Sequence, residues 1–129
     1  MKEYTEIIHV QEEDLDDLKH VNNVRYVQWI QDIAKNHWLK EASKEMLDAY
    51  IWMVLTHYIE YKGQAFLNDE ILLKTYIEKA KGVTSTRIVE IYNNKTEKLL
   101  LRSKTDWCLI DKNSKRPIRL TDQLKNMFT

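Results

Sequence analysis

From Asn23 to about Ala42 the apolar side chains return at steps of three and four residues: Tyr26, Trp29, Ile30, Ile33, Ala34, His37 and Trp38, with Leu39 and Ala42 extending the face. That is the period of an α-helix. The opposite side carries Arg25, Gln28, Gln31, Asp32, Lys35, Lys40 and Glu41. One face seeks water and the other a core. A lone helix with so much aromatic surface needs a broad apolar partner. Asn22 is placed to cap its first turn.

The partner is written in the rest of the chain. Thr5 to Val10 reads as a first strand, followed by an acidic loop from Gln11 to Lys19. A short helical turn or loop, Ser43 to Ala49, leads out of the helix. Tyr50 to Tyr61 is rich in β-branched and aromatic residues, and Asp69 to Ala80 alternates with Ile71, Leu73, Thr75 and Ile77 on one side. Lys81-Gly82 marks a tight turn before a strand from Val83 to Tyr92. Asn93-Asn94-Lys95 turns the chain into a strand from Lys98 to Ile110, and Asp111 to Lys115 turns it again. Arg116 to Leu120 reads as a short terminal strand or extended piece, and Thr121 as the cap of a last helix, Asp122 to Phe128. The fold class is α+β: an antiparallel sheet wrapped around one long central helix, with residues 1–129 as a single domain.

Composition narrows the function classes. With 129 residues the chain can bury a proper core without staples. Gly63, Gly82 and Pro117 are its only glycines and proline. A glycine-rich phosphate loop or dinucleotide fingerprint is therefore excluded. Twenty basic and twenty acidic residues leave no formal charge, so the basic excess of a non-specific nucleic-acid binder is missing. No apolar run approaches the ~18 residues of a membrane span. The first residues carry no apolar signal core, and the lone Cys108 cannot pair within the chain. The expectation is a cytoplasmic protein with no nucleic-acid or membrane partner. His9, His20, His37 and His57 lack metal-ligand spacing, so no metal is expected.

The stretch Asp14-Leu15-Asp16-Asp17-Leu18-Lys19-His20-Val21-Asn22-Asn23-Val24-Arg25-Tyr26 sets three carboxylates and a histidine just before the helix. A helix start leaves its first N–H groups without internal acceptors and carries roughly half a positive charge. An acid there stays ionised, and a carbonyl oxygen laid on the free amides is polarised. A carboxylate beside an oxyanion site points to acyl chemistry.

Asp-x-Asp-x-x-x-His-Val-Asn-Asn-x-x-Tyr, met here by Asp14, Asp16, His20, Val21, Asn22, Asn23 and Tyr26, resembles the signature of the hotdog-fold acyl-CoA thioesterases, the group related to 4-hydroxybenzoyl-CoA thioesterase. Ile59 to Asp69 is similar to that family's Ile-x-Tyr-x-x-Pro-Ala-x-x-Gly-Asp segment, with Gln64 in place of Pro and Asn68 in place of Gly. Arg116 to Leu120 resembles its terminal Arg-Pro run. Leu15 stands where Thr is common. Lys19 stands where Gly is usual, a position at which lysine does not cheaply adopt positive φ.

The resemblance implies a hotdog fold and an acyl-CoA thioesterase that releases a carboxylic acid and coenzyme A. Coenzyme A is then part of the substrate, and no cofactor is implied. The second acid of the motif, Asp16, matches the catalytic carboxylate, as nucleophile or as general base. The backbone N–H of Asn23 would polarise the thioester carbonyl. His20 would orient the loop, touch substrate or assist proton transfer; its ring could equally just bond to backbone. Asn22 and Asn23 are substrate-loop organisers, or simply caps; Tyr26 packs the helix against the sheet and, with Asn22, is a candidate for touching substrate. Lys79, Lys81 and Arg87, with Thr84, Ser85 and Thr86, lie near a turn and could hold the anionic nucleotide end, Lys81 and Ser85 being singled out; an ordinary hydrated turn explains them as well. The resemblance also implies a homodimer, or a homotetramer, with sites at the interface. Two rivals remain: a thioesterase acting on acyl carrier protein, and a non-catalytic hotdog protein that binds acyl thioesters.

Overall fold

A computed structural model describes residues 2–129. Strand β1 (Tyr4–His9) is followed by a single 3-10 turn, Glu12–Asp14. Helix α1 (Asn23–Glu41) comes next, then short α2 (Lys44–Ala49), β2 (Tyr50–Tyr61), β3 (Glu70–Lys81), β4 (Thr84–Asn93), β5 (Leu99–Asp111) and α3 (Asp122–Asn126). These bounds lie close to those read from the periodicities.

Side-chain caps set the helix starts. Asn22 Oδ1 accepts the N–H of Val24 at 3.0 Å. Ser43 and Thr121 cap α2 and α3 in the same way, through Met46 and Leu124. At the far end of α1 the Ala42 N–H donates to the Trp38 carbonyl, and the chain turns extended.

The five strands form one antiparallel sheet in the order β1-β3-β4-β5-β2. Its inner face carries Ile71, Leu73 and Thr75 of β3, Val89 and Ile91 of β4 and Leu101 of β5, all buried. Against them α1 buries Tyr26, Trp29, Ile30, Ile33, Ala34 and His37. Each such aliphatic side chain withdrawn from water contributes about 1.5–3 kcal/mol. Leu39, expected on this face, is instead half exposed, because two residues past His37 the helix has turned by about 200° and carried it to the opposite side. A second cluster of Met46, Leu109, Leu120 and Leu124 closes the other end, joined by Trp38 and Trp52, whose rings meet edge to face at 5.7 Å.

Three register shifts interrupt the sheet: in β2–β5 between Val54 and Thr56, in β3–β4 between Ile77 and Lys79, and in β4–β5 between Ile91 and Tyr92. Such bulges raise the local twist and help a sheet curl round a helix. Gly82 turns the β3–β4 hairpin at φ +64°, a value glycine adopts at no steric cost. The segment Arg116 to Leu120 makes one isolated bridge, Ile110 with Pro117, and is an extended piece rather than a strand. Among the described residues no helix is long and apolar enough to cross a membrane.

Candidate active site

The loop before α1 is closed by its own backbone. Leu15 and Val21 form an isolated antiparallel bridge. Inside it, the Asp16 N–H donates to the His20 carbonyl at 2.7 Å and the Lys19 N–H to the Asp16 carbonyl at 3.1 Å. Lys19 sits at φ 67°. The turn thus needs the left-handed conformation that glycine would take freely, and lysine takes it at a cost. Asn68 adopts φ 69° in the neighbouring loop, as expected of the side chain that best tolerates it.

Asp14 and Asp16 have separate surroundings. Asp14 is buried. Its Oδ2 accepts the Gln11 N–H at 2.8 Å, its Oδ1 meets Arg25 Nε at 2.9 Å, and its carbonyl accepts the Asn22 N–H. Both its carboxylate oxygens and its carbonyl are committed to holding the loop against the helix. Asp16 is half-buried, and one oxygen, Oδ1, accepts the N–H groups of Leu18 at 2.9 Å and His20 at 3.1 Å. The other oxygen has no hydrogen-bond partner among the described residues.

The helix start beside it leaves one amide unused. The Val24 N–H goes to the Asn22 side chain, and the Arg25 and Tyr26 N–H groups go to the Asn22 carbonyl. The Asn23 N–H finds no acceptor among the described residues and lies on an exposed residue. A donor of this kind at the positive end of a 19-residue helix suits an oxyanion.

Neighbouring segments fix the loop. The Val21 N–H donates to the Ala65 carbonyl, and the Ala65 N–H donates to the Tyr26 hydroxyl at 3.0 Å. Burial raises the Tyr26 pKa, a trend that the Ala65 N–H opposes, so the phenol stays neutral. The His20 ring rests edge-on against Phe66 at 5.3 Å. Asp16, His20, Asn22, Asn23 and Tyr26 are thereby brought into one corner of the molecule.

Lys81 and Ser85 are elsewhere. Lys81 is exposed at the β3–β4 hairpin. Ser85 is buried on the inner face of the sheet, paired with Trp107. Trp107 lies along β5 from Leu101, the residue facing Tyr61, by roughly 20 Å at about 3.3 Å per residue.

Around Ser85 lies a cleft of about 500 Å³ between the C-terminal half of α1 and the sheet, walled by Ala34, Trp38, Trp52, Trp107 and Arg87. Arg87 does not belong to a hydrated turn, as its neighbours in sequence suggested; only 5% of it is exposed. Its Nη1 meets His37 Nδ1 at 2.9 Å and donates to Thr75 Oγ1 at 3.0 Å, and its guanidinium lies over the Phe128 ring. None of the ion pairs among the described residues involves it. Burial lowers its pKa to about 10, which leaves it charged near neutrality. The same burial, and then the adjacent guanidinium, press His37 down to about 4, so its imidazole is neutral. With Nδ1 accepting from Arg87, the proton sits on Nε2, a buried atom without a partner. The alternation Ser85-Arg87-Val89-Ile91 was the available sequence signal for this inward arginine.

Among the described residues no three His, Cys, Asp or Glu side chains gather closely enough to hold a metal ion.

Residues 10–128 match the family model of the thioesterase-like superfamily. No curated protein matches the chain. Among solved structures, the fold is similar to Slr0204, a 1,4-dihydroxy-2-naphthoyl-CoA thioesterase from Synechocystis, at 17% identity and TM-score 0.83 over 98% of this chain and 95% of that one. It is also similar to the DHNA-CoA thioesterase of Staphylococcus aureus, at 21% identity and TM-score 0.81 over 93% and 82%. The S. aureus protein SAV2348, solved in complex with CoA, matches at 15% identity and TM-score 0.86 over 98% and 81%.

Proposed function

The chain belongs to the thioesterase-like superfamily, with the hotdog fold, and from that premise we propose that this thioester hydrolase acts on acyl-CoA at the loop before α1. The observation that carries the site is the unpaired Asn23 amide at the helix start, next to a loop whose Asp16 keeps one carboxylate oxygen free. The thioester carbonyl oxygen lies on the Asn23 N–H, and the acyl carbon faces Asp16. Asp16 takes the proton of an attacking water as the C–O bond forms; the C–S bond then breaks, and the proton passes to the departing thiolate. In the alternative, an Asp16 carboxylate oxygen attacks the acyl carbon, the C–S bond breaks to release the thiolate, and water opens the resulting mixed anhydride to the acid and free Asp16. After single-turnover hydrolysis in ¹⁸O-labelled water, label found in Asp16 marks the anhydride route, opened by water at the aspartyl carbon. Asn22 caps the helix, Tyr26 locks Ala65, and His20 holds the loop through its backbone while its ring rests on Phe66. Lys81 remains the exposed candidate for the coenzyme A phosphates. The CoA complex of a neighbour with the same fold supports that substrate class.

A homodimer completes the site. Strand β2 is an edge, bonded only to β5, and Ile51, Met53, Leu55, Tyr58 and Tyr61 along it are exposed. An apolar, unpaired edge favours pairing with its own copy. Antiparallel β2 pairing sets the Tyr50 end of one strand beside the Tyr61 end of the other. The Tyr61 end adjoins the Asp16 corner through the Tyr26 ring at 6.0 Å, and the Tyr50 end borders the cleft. The cleft of one protomer then faces the Asp16 loop of its partner.

The test is thiol release from a panel of acyl-CoAs, varied in chain length and aromatic head, by wild type and Asp16→Asn. Turnover by wild type alone is expected. Turnover by neither overturns the acyl-CoA reading, leaving carrier-protein thioesters and non-catalytic binding to be assayed. Equal turnover by both removes Asp16 from the mechanism.

A further inference from the structure

Resting on the hydrolase reading above, we propose that the cleft beside the C-terminal half of α1 receives an acyl group that carries a carboxylate, and that Arg87 and Trp107 hold it. Arg87 is a buried cation with no acid facing it, an arrangement that ordinarily costs more than it returns. Its side-chain hydrogen bonds both leave from Nη1 and go to neutral partners, His37 and Thr75. Nε and Nη2 keep their donors, and the side chain forms part of the cleft wall. Across the sheet face, the Nε1–H of Trp107 is buried without an acceptor while its ring lines the same cleft. The guanidinium thus has free donors at the cavity wall, and a second donor without an acceptor, sealed from solvent, lies beside it. His37 cannot supply a negative charge, and Phe128 supplies only its ring face.

The cleft has the size of an acyl site and mostly apolar walls of tryptophan and aliphatic side chains. Apolar walls with a guanidinium on the inner face suit a carbon chain or ring that ends in an anion, since a planar carboxylate accepts two parallel N–H bonds from arginine. A thioester held by Asn23 of the same protomer would not reach this cleft. From Asn23 to Trp38 the helix rises roughly 20 Å at about 1.5 Å per residue. In the β2-paired dimer the thioester end instead meets the partner's helix start, so the carboxylate-bearing tail and the reacting carbon lie on different chains.

The experiment compares two acyl-CoAs of equal chain length, one ending in a methyl group and one in a carboxylate, in wild type, Arg87→Met and Trp107→Phe. Binding of the free dicarboxylic and monocarboxylic acids is followed in parallel by tryptophan fluorescence. Wild type is expected to favour the carboxylate ester in kcat/KM by about tenfold or more, as a charge-assisted pair in a dry site warrants. Arg87→Met brings that ratio to about one or below, whatever its absolute rates, and Trp107→Phe lowers it in part. Equal kcat/KM for the two esters in wild type overturns the proposal and leaves the hydrolase reading standing. If neither ester is turned over, the acid-binding arm decides alone: tighter binding of the dicarboxylic acid, lost in Arg87→Met, supports the pocket, and indifferent binding overturns it. Should Arg87→Met not fold, the wild-type ratio and its decrease in Trp107→Phe decide between the same two outcomes.

Discussion

At position 16 charge and geometry can be separated. The Oδ1 of an asparagine accepts the Leu18 and His20 amides as the aspartate does, so Asp16→Asn keeps the loop and removes the negative oxygen. We expect kcat to fall by about 10²–10⁴-fold, the usual worth of a positioned acid or base, with thermal unfolding little changed. Asp14 offers no such separation, because Gln11 and Arg25 take both its oxygens. Lys19 makes the converse case. At φ 67° its side chain strains a turn that glycine would relax. Lys19→Gly should therefore raise the unfolding free energy by about 0.5–1 kcal/mol in denaturant titration; a loss of stability would show that the lysine side chain contributes more than its backbone costs.

At the scale of the helix, His37 ties α1 to the sheet as a neutral acceptor for Arg87. Its pKa is about 4 in the folded chain against 6.5 for an exposed imidazole. Above 6.5 both states are neutral and the contact has its full worth. As pH falls from 6.5 toward 4 the unfolded chain binds the proton first, so stability declines, and below the folded value the loss is complete. Between pH 6.5 and about 5 the wild type should lose on the order of 2 kcal/mol that His37→Gln does not lose, read as the difference between their denaturation curves. A matching slope in both proteins would mean another group titrates there. Elements of this kind were legible in advance where a period ran long. The α1 face, the alternation of β3 and the caps Asn22 and Thr121 are all visible as spacing. Arg87 was not, because its sequence neighbours Thr84, Ser85 and Thr86 read as a wet turn, whereas its partners His37, Thr75 and Phe128 are distant in sequence. The Asp16 corner was legible as a motif, but its division of labour was not: which acid is spent on Arg25 depends on how the loop closes.

At the scale of the whole molecule, the proposed sharing of one site between two chains makes a prediction that no single chain can. Asp16→Asn lacks the acid, and Ser85→Phe fills the cleft on the sheet's inner face. Each alone should be nearly inactive. Unfolded together at equal amounts and refolded, half the dimers are mixed and each holds one complete site, so about a quarter of wild-type activity should return. No recovery would place acid and cleft on the same chain. The strand order has a further bearing on assembly. Strand β2 has its only neighbour in β5, and both β3 and β4 lie between them in sequence. A growing polypeptide therefore carries its stickiest ribbon uncovered until the last long strand leaves the ribosome. Two nascent copies on one message would be at risk of joining wrongly, and the order of synthesis would leave the proposed subunit pairing as a late event.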